Sequence, residues 1–579
     1  MRPNSKLIPL VLSLALGACQ PPMLKPDRET GTEENQAPPR ELPFQSTAVP
    51  PEQLDKELLY NYLAGEISVR RGEWESAYEH LMAASQEAKD PVAASKAARL
   101  AWRQGEMQKA GEAIALWIAY QPNSLAARQL ALLKALRSQD MTEAMKQARA
   151  SISIADALGK DGFLLLGSAL ASAKGESKIR LMKNLVRDYP DNAHAQYALA
   201  LVASQEKKYD DALAAADAAS HLDPDWDIPY LLQVQIHALR GDEAAAEETL
   251  RNAARKHPDS ASIQEAYGRL LMQQKKYAEA LKRFQQALKQ KPQDQELRYL
   301  IGVLALQTEN WELARSTWEM LRDEPRFQKQ DEAWYFLGQL EELQGNLEQA
   351  IKNYQHVKNG RLKNEALLRV AILTGKLGNL TESRELFRNL RITAPHDAAQ
   401  TYVTEAELLK EMGRTDEALD IYDEAIRAYP EDTDLRYARG LLAADLQRVD
   451  LAEQDFKAVL RRKPDDTDAL NALGYTLADL TDRYQEAFEY INAAYKQSPD
   501  SPAILDSMGW VLYRLGNTEQ ALKYLQKAAE KLDDPEIAAH LGEVLWVTGA
   551  RDKARKIWKQ AIESHPDNKK LRKTVQRFL

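Results

Sequence analysis

The stretch SIQEAYGRLLMQQKKYAEALKRFQQALKQKP, residues 262–292, decides the fold of this chain. Its first half contains a large apolar, a small and another large apolar residue, Tyr267, Gly268 and Leu271. Its second half contains a small, an aromatic and another small residue, Ala280, Phe284 and Ala287, and it ends at Pro292. Small residues let two antiparallel helices approach closely, and the aromatic side chain fills the gap beside them. The proline cannot continue the second helix. The stretch therefore predicts a helical hairpin that ends in a turn.

The same order recurs along most of the chain. The turn prolines form two series in which neighbours lie 34 to 36 residues apart. The first series is Pro190, Pro224, Pro258 and Pro292. The second is Pro395, Pro430, Pro464, Pro499 and Pro535, and Pro566 follows it. A period of 34 residues built from two helices is typical of tetratricopeptide repeats. Over roughly residues 56–566, in about fourteen or fifteen units, the chain resembles the tetratricopeptide-repeat (TPR) family. The resemblance implies an all-α fold, a TPR solenoid wound as a right-handed superhelix.

The regularity of the repeat divides the chain. Units in 191–566 match the pattern clearly and predict a regular array, whereas 53–190 holds degenerate, TPR-like helical repeats. Residues 567–579 predict a C-terminal capping helix, whose Lys569, Lys570, Arg572, Lys573 and Arg577 we expect on a solvated face. A solenoid can reach 579 residues without splitting into globular domains, because each repeat packs only against its neighbours.

The first fifty residues predict the compartment. Arg2 and Lys6 precede an apolar stretch at 7–16 that is too short to span a bilayer but suits a secretory signal. Leu16-Gly17-Ala18-Cys19 resembles the lipobox of bacterial lipoproteins, which implies a signal peptide at 1–18 and acylation of Cys19. Gln20, in place of aspartate, implies a lipid anchor in the outer membrane that faces the periplasm. The alternative is a soluble secreted protein with an incidental cysteine.

Residues 19–52 predict a tether between the lipidated cysteine and the solenoid. This stretch contains eight prolines with acidic and polar residues between them, so it cannot bury a core. Cys19 is the only cysteine of the chain, and no intramolecular disulfide can form. We therefore expect a disordered tether that holds the solenoid off the membrane surface.

Catalytic and cofactor motifs are missing from the sequence. It contains no Gly-rich phosphate loop, no HExxH and no Cys/His cluster, so we expect a protein that is not an enzyme and needs no cofactor or metal. The net charge of −9 does not favour nucleic acid as a partner. Acidic pairs such as Asp465-Asp466 and Asp533-Asp534 fall in turns, where they favour helix capping over catalysis. A site assembled from distant repeats is the alternative.

The resemblance also implies where partners bind. In TPR proteins the first helix of each repeat lines a concave groove. The matching positions of this chain are ten residues, which we call the groove set: Tyr299, Tyr335, Tyr437, Asn471, Tyr475, Asp506, Trp510, Tyr513, Glu543 and Trp546. Aromatic, carboxylate and amide groups on one face suit the recognition of extended peptides or helices. The alternative is that several of these tyrosines pack between the first helices of neighbouring repeats.

Three C-terminal stretches carry a narrower resemblance. NALGYTLAD at 471–479, SPAILDSMGWVLYRLG at 501–516 and AAHLGEVLW at 538–546 are similar to a group of large bacterial TPR lipoproteins of the outer membrane. The resemblance implies an adaptor for a periplasmic carboxyl-terminal processing protease, which degrades peptidoglycan hydrolases delivered by the adaptor. The alternative is an assembly factor for an outer-membrane polysaccharide-export or secretion complex. Self-association is left open.

Overall fold

The computed structural model describes residues 56–170, 173 and 175–579. Over these residues the chain is built of helices and turns, without a strand. The predicted signal peptide at 1–18, Cys19 and the tether at 19–52 lie outside the described residues. The all-α prediction is confirmed.

The described residues form thirty-one α-helices of 9 to 17 residues. Most of them pair with the next helix in sequence as hairpins, and one helix follows the last hairpin. A 3₁₀ turn, Pro395–Asp397, precedes α21. The helices are α1 Lys56–Arg71, α2 Trp74–Ala88, α3 Pro91–Gln104, α4 Met107–Tyr120, α5 Leu125–Arg137, α6 Met141–Ala157, α7 Gly162–Leu170, α8 Ser177–Asp188, α9 Ala193–Gln205, α10 Tyr209–Leu222, α11 Ile228–Arg240, α12 Glu243–Lys256, α13 Ala261–Gln273, α14 Tyr277–Gln290, α15 Gln295–Gln307, α16 Trp311–Asp323, α17 Gln330–Leu343, α18 Leu347–Gln355, α19 Lys363–Lys376, α20 Leu380–Thr393, α21 Ala398–Glu411, α22 Thr415–Ala428, α23 Thr433–Asp445, α24 Val449–Arg462, α25 Thr467–Leu480, α26 Tyr484–Gln497, α27 Pro502–Arg514, α28 Thr518–Lys531, α29 Pro535–Val547, α30 Arg551–Ser564 and α31 Lys569–Phe578.

Several hairpins close on a glycine of their first helix. A Cβ atom added at Gly268 would lie 2.9 Å from Cε1 of Phe284, and one at Gly542 would lie 2.1 Å from Nε1 of Trp558. The rings of Phe284 and Trp558 are fully buried. Side chains larger than hydrogen would therefore force these helices apart. The predicted packing of a small residue against an aromatic one is confirmed.

The turns between hairpins also agree with the sequence pattern. Asp466 caps α25 by accepting a hydrogen bond from the backbone N–H of Ala469 at 3.0 Å. Asp534 caps α29 in the same way through the N–H of Ile537 at 3.2 Å. Such caps satisfy the free N–H groups of a first helical turn. The prediction that these acidic pairs serve as turn formers and caps is confirmed.

Contacts divide the chain into two compact units, one ending at Thr317 and the other beginning at Trp318. In the first unit, α1 to α6 pair in sequence in the same way as later helices, whereas α7, with only 9 residues, packs against α6 and α9. The predicted boundary at 190 between degenerate and regular repeats stays a prediction. None of the described helices is both long and apolar enough to cross a bilayer.

The terminal helix α31 covers the last hairpin of the second unit. Leu571 is buried, and the ring of Phe578 lies 5.7 Å from that of Trp558. All five residues of its basic run are exposed, as expected, and two of them also form ion pairs. Lys570 pairs with Glu536, and Arg577 lies 2.5 Å from Glu543, because both cations point back onto the preceding first helix.

Candidate partner-binding surface

The ten residues of the groove set differ in how much of their surface a partner can reach. Half of them are buried: Tyr299, Tyr335, Asp506, Trp510 and Glu543. The other half are partly exposed: Tyr437, Asn471, Tyr475, Tyr513 and Trp546. A partner would meet the second group first, while the first group holds the surface in place. Their role in binding stays a prediction.

A buried carboxylate and a buried imidazole pair between α27 and α29. Nδ1 of His540 lies 3.0 Å from both carboxylate oxygens of Asp506, and the two residues are 4% and 6% exposed. An ionised carboxylate only accepts hydrogen bonds, so Nδ1 carries a proton and donates it. The pair thereby satisfies a charge that would be costly to bury alone.

Tyr475 of α25 extends this pair toward the surface. Its hydroxyl donates to Glu536 and lies 3.4 Å from Nε2 of His540. Nζ of Lys570 donates to the same hydroxyl at 3.1 Å and pairs with Glu536. Asp506, His540, Tyr475, Glu536 and Lys570, called here the C-terminal polar network, thus link four helices, α25, α27, α29 and α31.

The charges of this network shift each other's proton affinity. Burial lowers the pKa of His540, but the charge of Asp506 and its hydrogen bond outweigh burial, so the pKa is raised above its usual value. Burial raises the pKa of Glu536, but the charge of Lys570 together with the hydrogen bonds from Lys570 and Tyr475 outweighs burial, so the pKa of Glu536 is lowered. Burial raises the pKa of Tyr475 well above its usual value. The network therefore favours an ionised Glu536 and a protonated His540.

An indole ring covers the imidazole of His540. The ring of Trp510 stacks on it with centroids 4.1 Å apart and planes inclined by 19°. Stacking of a cationic ring on an indole face is favourable, which also favours the protonated form. The Nε1 atom of Trp510 is buried and has no hydrogen-bond partner among the described residues.

The next turn of α29 carries a second charged group. Glu543 is 7% exposed and lies 2.5 Å from the guanidinium of Arg577, while the hydroxyl of Tyr513 donates to it at 3.5 Å. Trp546, one turn further, is partly exposed and has the guanidinium groups of Arg551 and Arg555 at 5.2 Å each. This end of the surface offers a face of aromatic rings bordered by cations.

The remaining members of the groove set lie apart from the network. The ring of Tyr335 is 5.4 Å from that of Tyr354, and burial raises its pKa. The ring of Tyr437 is 5.8 Å from that of Phe456. Oδ1 of Asn471 is buried and has no partner among the described residues. Tyr335 and Tyr437 thus each contact the second helix of their own hairpin. Packing between neighbouring first helices stays a prediction, and Tyr299 on α15 belongs to the first unit.

Sequence reasoning missed His540, Glu536 and Lys570. A usable signal was present, because His540 follows Asp506 by 34 residues and Lys570 follows Glu536 by 34. Residues one period apart occupy the same place on successive first helices. Opposite charges at such a spacing predict a contact between neighbouring repeats. Within the described range, no cluster of three His, Cys, Asp or Glu side chains is arranged to hold a metal ion.

Comparison with known protein families identifies the type of repeat. Family models described as tetratricopeptide repeat match residues 179–225, 231–295, 271–328, 331–358, 403–467, 437–502 and 481–540. The chain is 34% identical, over 551 residues, to a TPR repeat-containing protein of Pseudomonas aeruginosa, PA4667, and the match covers 93% of this chain and 90% of that protein.

Solved structures of TPR proteins are also similar to parts of the chain. A thermophilic TPR protein of Thermus thermophilus is 25% identical, covering 31% of this chain and 98% of that one, with a TM-score of 0.29. A tetratricopeptide repeat protein of Parabacteroides merdae is 19% identical, covering 42% of this chain and 97% of that one, with a TM-score of 0.35. Because both TM-scores are below 0.5, the family assignment depends on the sequence matches.

Proposed function

Because the chain belongs to the tetratricopeptide-repeat family, whose arrays are protein–protein interaction scaffolds, we propose that it is a lipid-anchored periplasmic adaptor. Its partners are a carboxyl-terminal processing protease and the peptidoglycan hydrolases that this protease degrades. The observation that carries the scaffold role is the succession of helical hairpins along the described residues, with polar and aromatic side chains on successive first helices. This fold is typically non-catalytic.

The surface of the second unit supports recognition of protein partners. Partly exposed aromatic rings, such as Trp546 and Tyr513, stand beside the ionised groups of Arg551, Arg555 and Glu543. Aromatic side chains held between charges are the groups that contribute most to protein interfaces. The buried pair of Asp506 and His540 fixes the helices that present them, so the surface is preformed.

The sequence of the first fifty residues supports the anchor. A lipobox-like Leu16-Gly17-Ala18-Cys19 and a proline-rich stretch before α1 are the reasons to place the scaffold on a membrane. Binding a protease and its substrate to one tethered scaffold turns their encounter into a local event at high effective concentration. Proteolysis would then be accelerated without any catalytic residue in the adaptor.

Affinity purification of the tagged protein from detergent-solubilised envelopes tests this function. We expect a carboxyl-terminal processing protease and at least one peptidoglycan hydrolase to co-purify, and deletion of the protein to raise the hydrolase level. Recovery of neither, with unchanged hydrolase levels, would contradict the proposal. Recovery of a secretin or a polysaccharide-export channel instead would favour an assembly factor.

The variant Cys19→Ala separates the anchor from the binding surface. We expect it to retain partner binding in solution but to leave the membrane fraction, with hydrolase levels rising as in the deletion. A variant that stays in the membrane fraction would contradict lipidation at Cys19 without touching the scaffold role. Quantitative immunoblots of membrane and soluble fractions are the measurement.

A further inference from the structure

A cavity of about 460 Å³ opens in the first unit between three successive helices, α10, α11 and α12. The residues that line it are Asp217, Tyr230, Gln233, Thr249, Asn252, Arg255 and Lys256. This volume lies within the range of pockets that bind small molecules or a few residues of a peptide. We call it the basic cavity.

Two cations of the basic cavity lack acidic partners. Among the described residues, neither Arg255 nor Lys256 forms an ion pair, although many other cations of the chain do so. Nζ of Lys256 is held 3.0 Å from the hydroxyl of Tyr230, and the guanidinium of Arg255 bonds the amide oxygen of Asn252. Their positions are thus fixed by neutral groups, which leaves both positive charges free to bind an anion.

Neutral hydrogen-bonding groups complete the lining. Gln233 is 9% exposed, and its Nε2 has no hydrogen-bond partner among the described residues. Thr249 and Asn252 are partly exposed on the facing side of α12. Buried polar groups are rarely left unpaired, so an unpaired amide beside two cations indicates a ligand with acceptor atoms. Burial of the Tyr230 ring, 5.3 Å from that of His257, keeps its hydroxyl in place.

A second cavity at the corresponding place of the second unit has a different charge. It is lined by Pro464, Asp465, Leu470, Glu489, Asn492, Ala493, Lys496 and Gln497. Counted back from the last residue of each helix, Gln497 corresponds to Lys256, and Lys496 corresponds to Arg255. The second cavity therefore has two carboxylates and one cation, whereas the basic cavity has one carboxylate and two cations. The packing of the repeats therefore forms a cavity at both places, but the side chains give only the basic cavity a net positive charge.

We propose that the basic cavity binds a carboxylate carried by an acidic side chain of a protein partner. This proposal rests on the proposed function, because it assumes that the scaffold binds proteins that carry such a carboxylate. Arg255 and Lys256 provide the charge, and the hydroxyl of Tyr230 adds a hydrogen-bond donor. Thr249, Asn252 and Gln233 bond the adjoining peptide groups, so the cavity recognises an acidic residue within a peptide.

The charge of the cavity favours a carboxylate over a phosphate. Asp217 contributes one negative charge against the two positive ones, which leaves a net charge of +1. A carboxylate with a single charge neutralises this excess, whereas a phosphate dianion would leave a negative charge close to Asp217. Phosphate is therefore the informative competitor in a binding experiment.

The test measures the affinity of two fluorescein-labelled decapeptides, (Gly-Glu)₅ and (Gly-Gln)₅, for the full chain by fluorescence anisotropy at physiological salt. We expect the glutamate peptide to bind and R255Q/K256M to weaken it at least tenfold, since two charged contacts are lost. The glutamine peptide should bind the wild-type chain no more tightly than the glutamate peptide binds R255Q/K256M. Unchanged binding by R255Q/K256M would overturn the proposal.

The variant K496M is the matched control, because Lys496 occupies the corresponding place in the second cavity. It should bind the glutamate peptide as the wild type does, and an equal loss would show that only overall charge matters. Displacement of the peptide by inorganic phosphate at a lower concentration than by acetate would overturn the preference for a carboxylate. Circular dichroism of each variant checks that it is folded. These outcomes are independent of whether a protease co-purifies from envelopes.

Discussion

The C-terminal polar network and the basic cavity contain the same kinds of side chain but use their charges in opposite ways. In the network, Lys570 and His540 are matched by Glu536 and Asp506 of neighbouring repeats. In the basic cavity, Arg255 and Lys256 are held by neutral groups and have no acidic partner among the described residues. Charges of the network therefore stabilise the packing of helices, whereas charges of the cavity are available to a ligand.

This difference separates structure from recognition within a single repeated fold. Because the hairpins repeat one helix–turn–helix arrangement, neither the period nor the fold indicates which charged positions bind a partner. A charged position that has no opposite charge one repeat away is the one available to a partner. Substitutions in the network should therefore change stability, and substitutions in the cavity should change binding.

Replacing His540 by alanine should have the largest effect. The variant leaves the carboxylate of Asp506 buried without a partner and removes the ring stacked on Trp510. We expect the free energy of unfolding of this region to fall by about 3 kcal/mol. Guanidinium unfolding followed by circular dichroism measures it. If the double variant Asp506→Asn/His540→Ala recovered none of this loss, the loss would not come from the unpaired carboxylate.

The same pair should make stability depend on pH, with a smaller effect. The pKa of His540 is raised in the folded chain, so its contribution is complete below the ordinary histidine pKa of about 6.5 and is lost as pH rises through the raised value. The titratable groups that face it are Asp506, Tyr475 and Glu536, with Lys570 behind them. The difference in unfolding midpoint between wild type and His540→Gln should shrink as pH rises through that interval. A constant difference would contradict the raised pKa.

Replacing Lys570 by methionine should cost roughly 0.5–1 kcal/mol. Its side chain is 54% exposed, so water screens much of its attraction to Glu536. The neighbouring Lys569 is exposed and serves as the control, because Lys569→Met should leave the unfolding midpoint unchanged. Equal losses from both variants would indicate an effect of net charge and not of the network.

Replacing Lys256 by methionine should have the smallest effect on stability. Without an acidic partner the ammonium group contributes little to folding, and we expect a change within about 0.5 kcal/mol. Binding of the glutamate decapeptide should nevertheless weaken. A loss of stability comparable to that of His540→Ala would erase the distinction between the network and the cavity.

The sequence predicts the hairpins well because each one is specified locally. Residues such as Gly268, Phe284 and Asp466 determine close packing and caps within a few turns of chain. The polar network could not be derived in the same way, since Tyr475 reaches Lys570 across three repeats. Its geometry depends on the stacking angle between hairpins, which small packing differences determine. Arg255 and Lys256 also read as an ordinary basic helix end until the cavity beside them is seen.

The close contact of a glycine with the side chain sixteen residues further on has an evolutionary consequence. The pairs Gly268–Phe284 and Gly542–Trp558 share this spacing with Gly65–Leu81 and Gly509–Leu525, where the partner is aliphatic. Because each partner fills the space that its glycine leaves, neither member can enlarge without the other shrinking. Relatives of this chain should therefore change the two positions together. Such correlated substitutions would mark the register of each repeat even where the turn prolines have been lost.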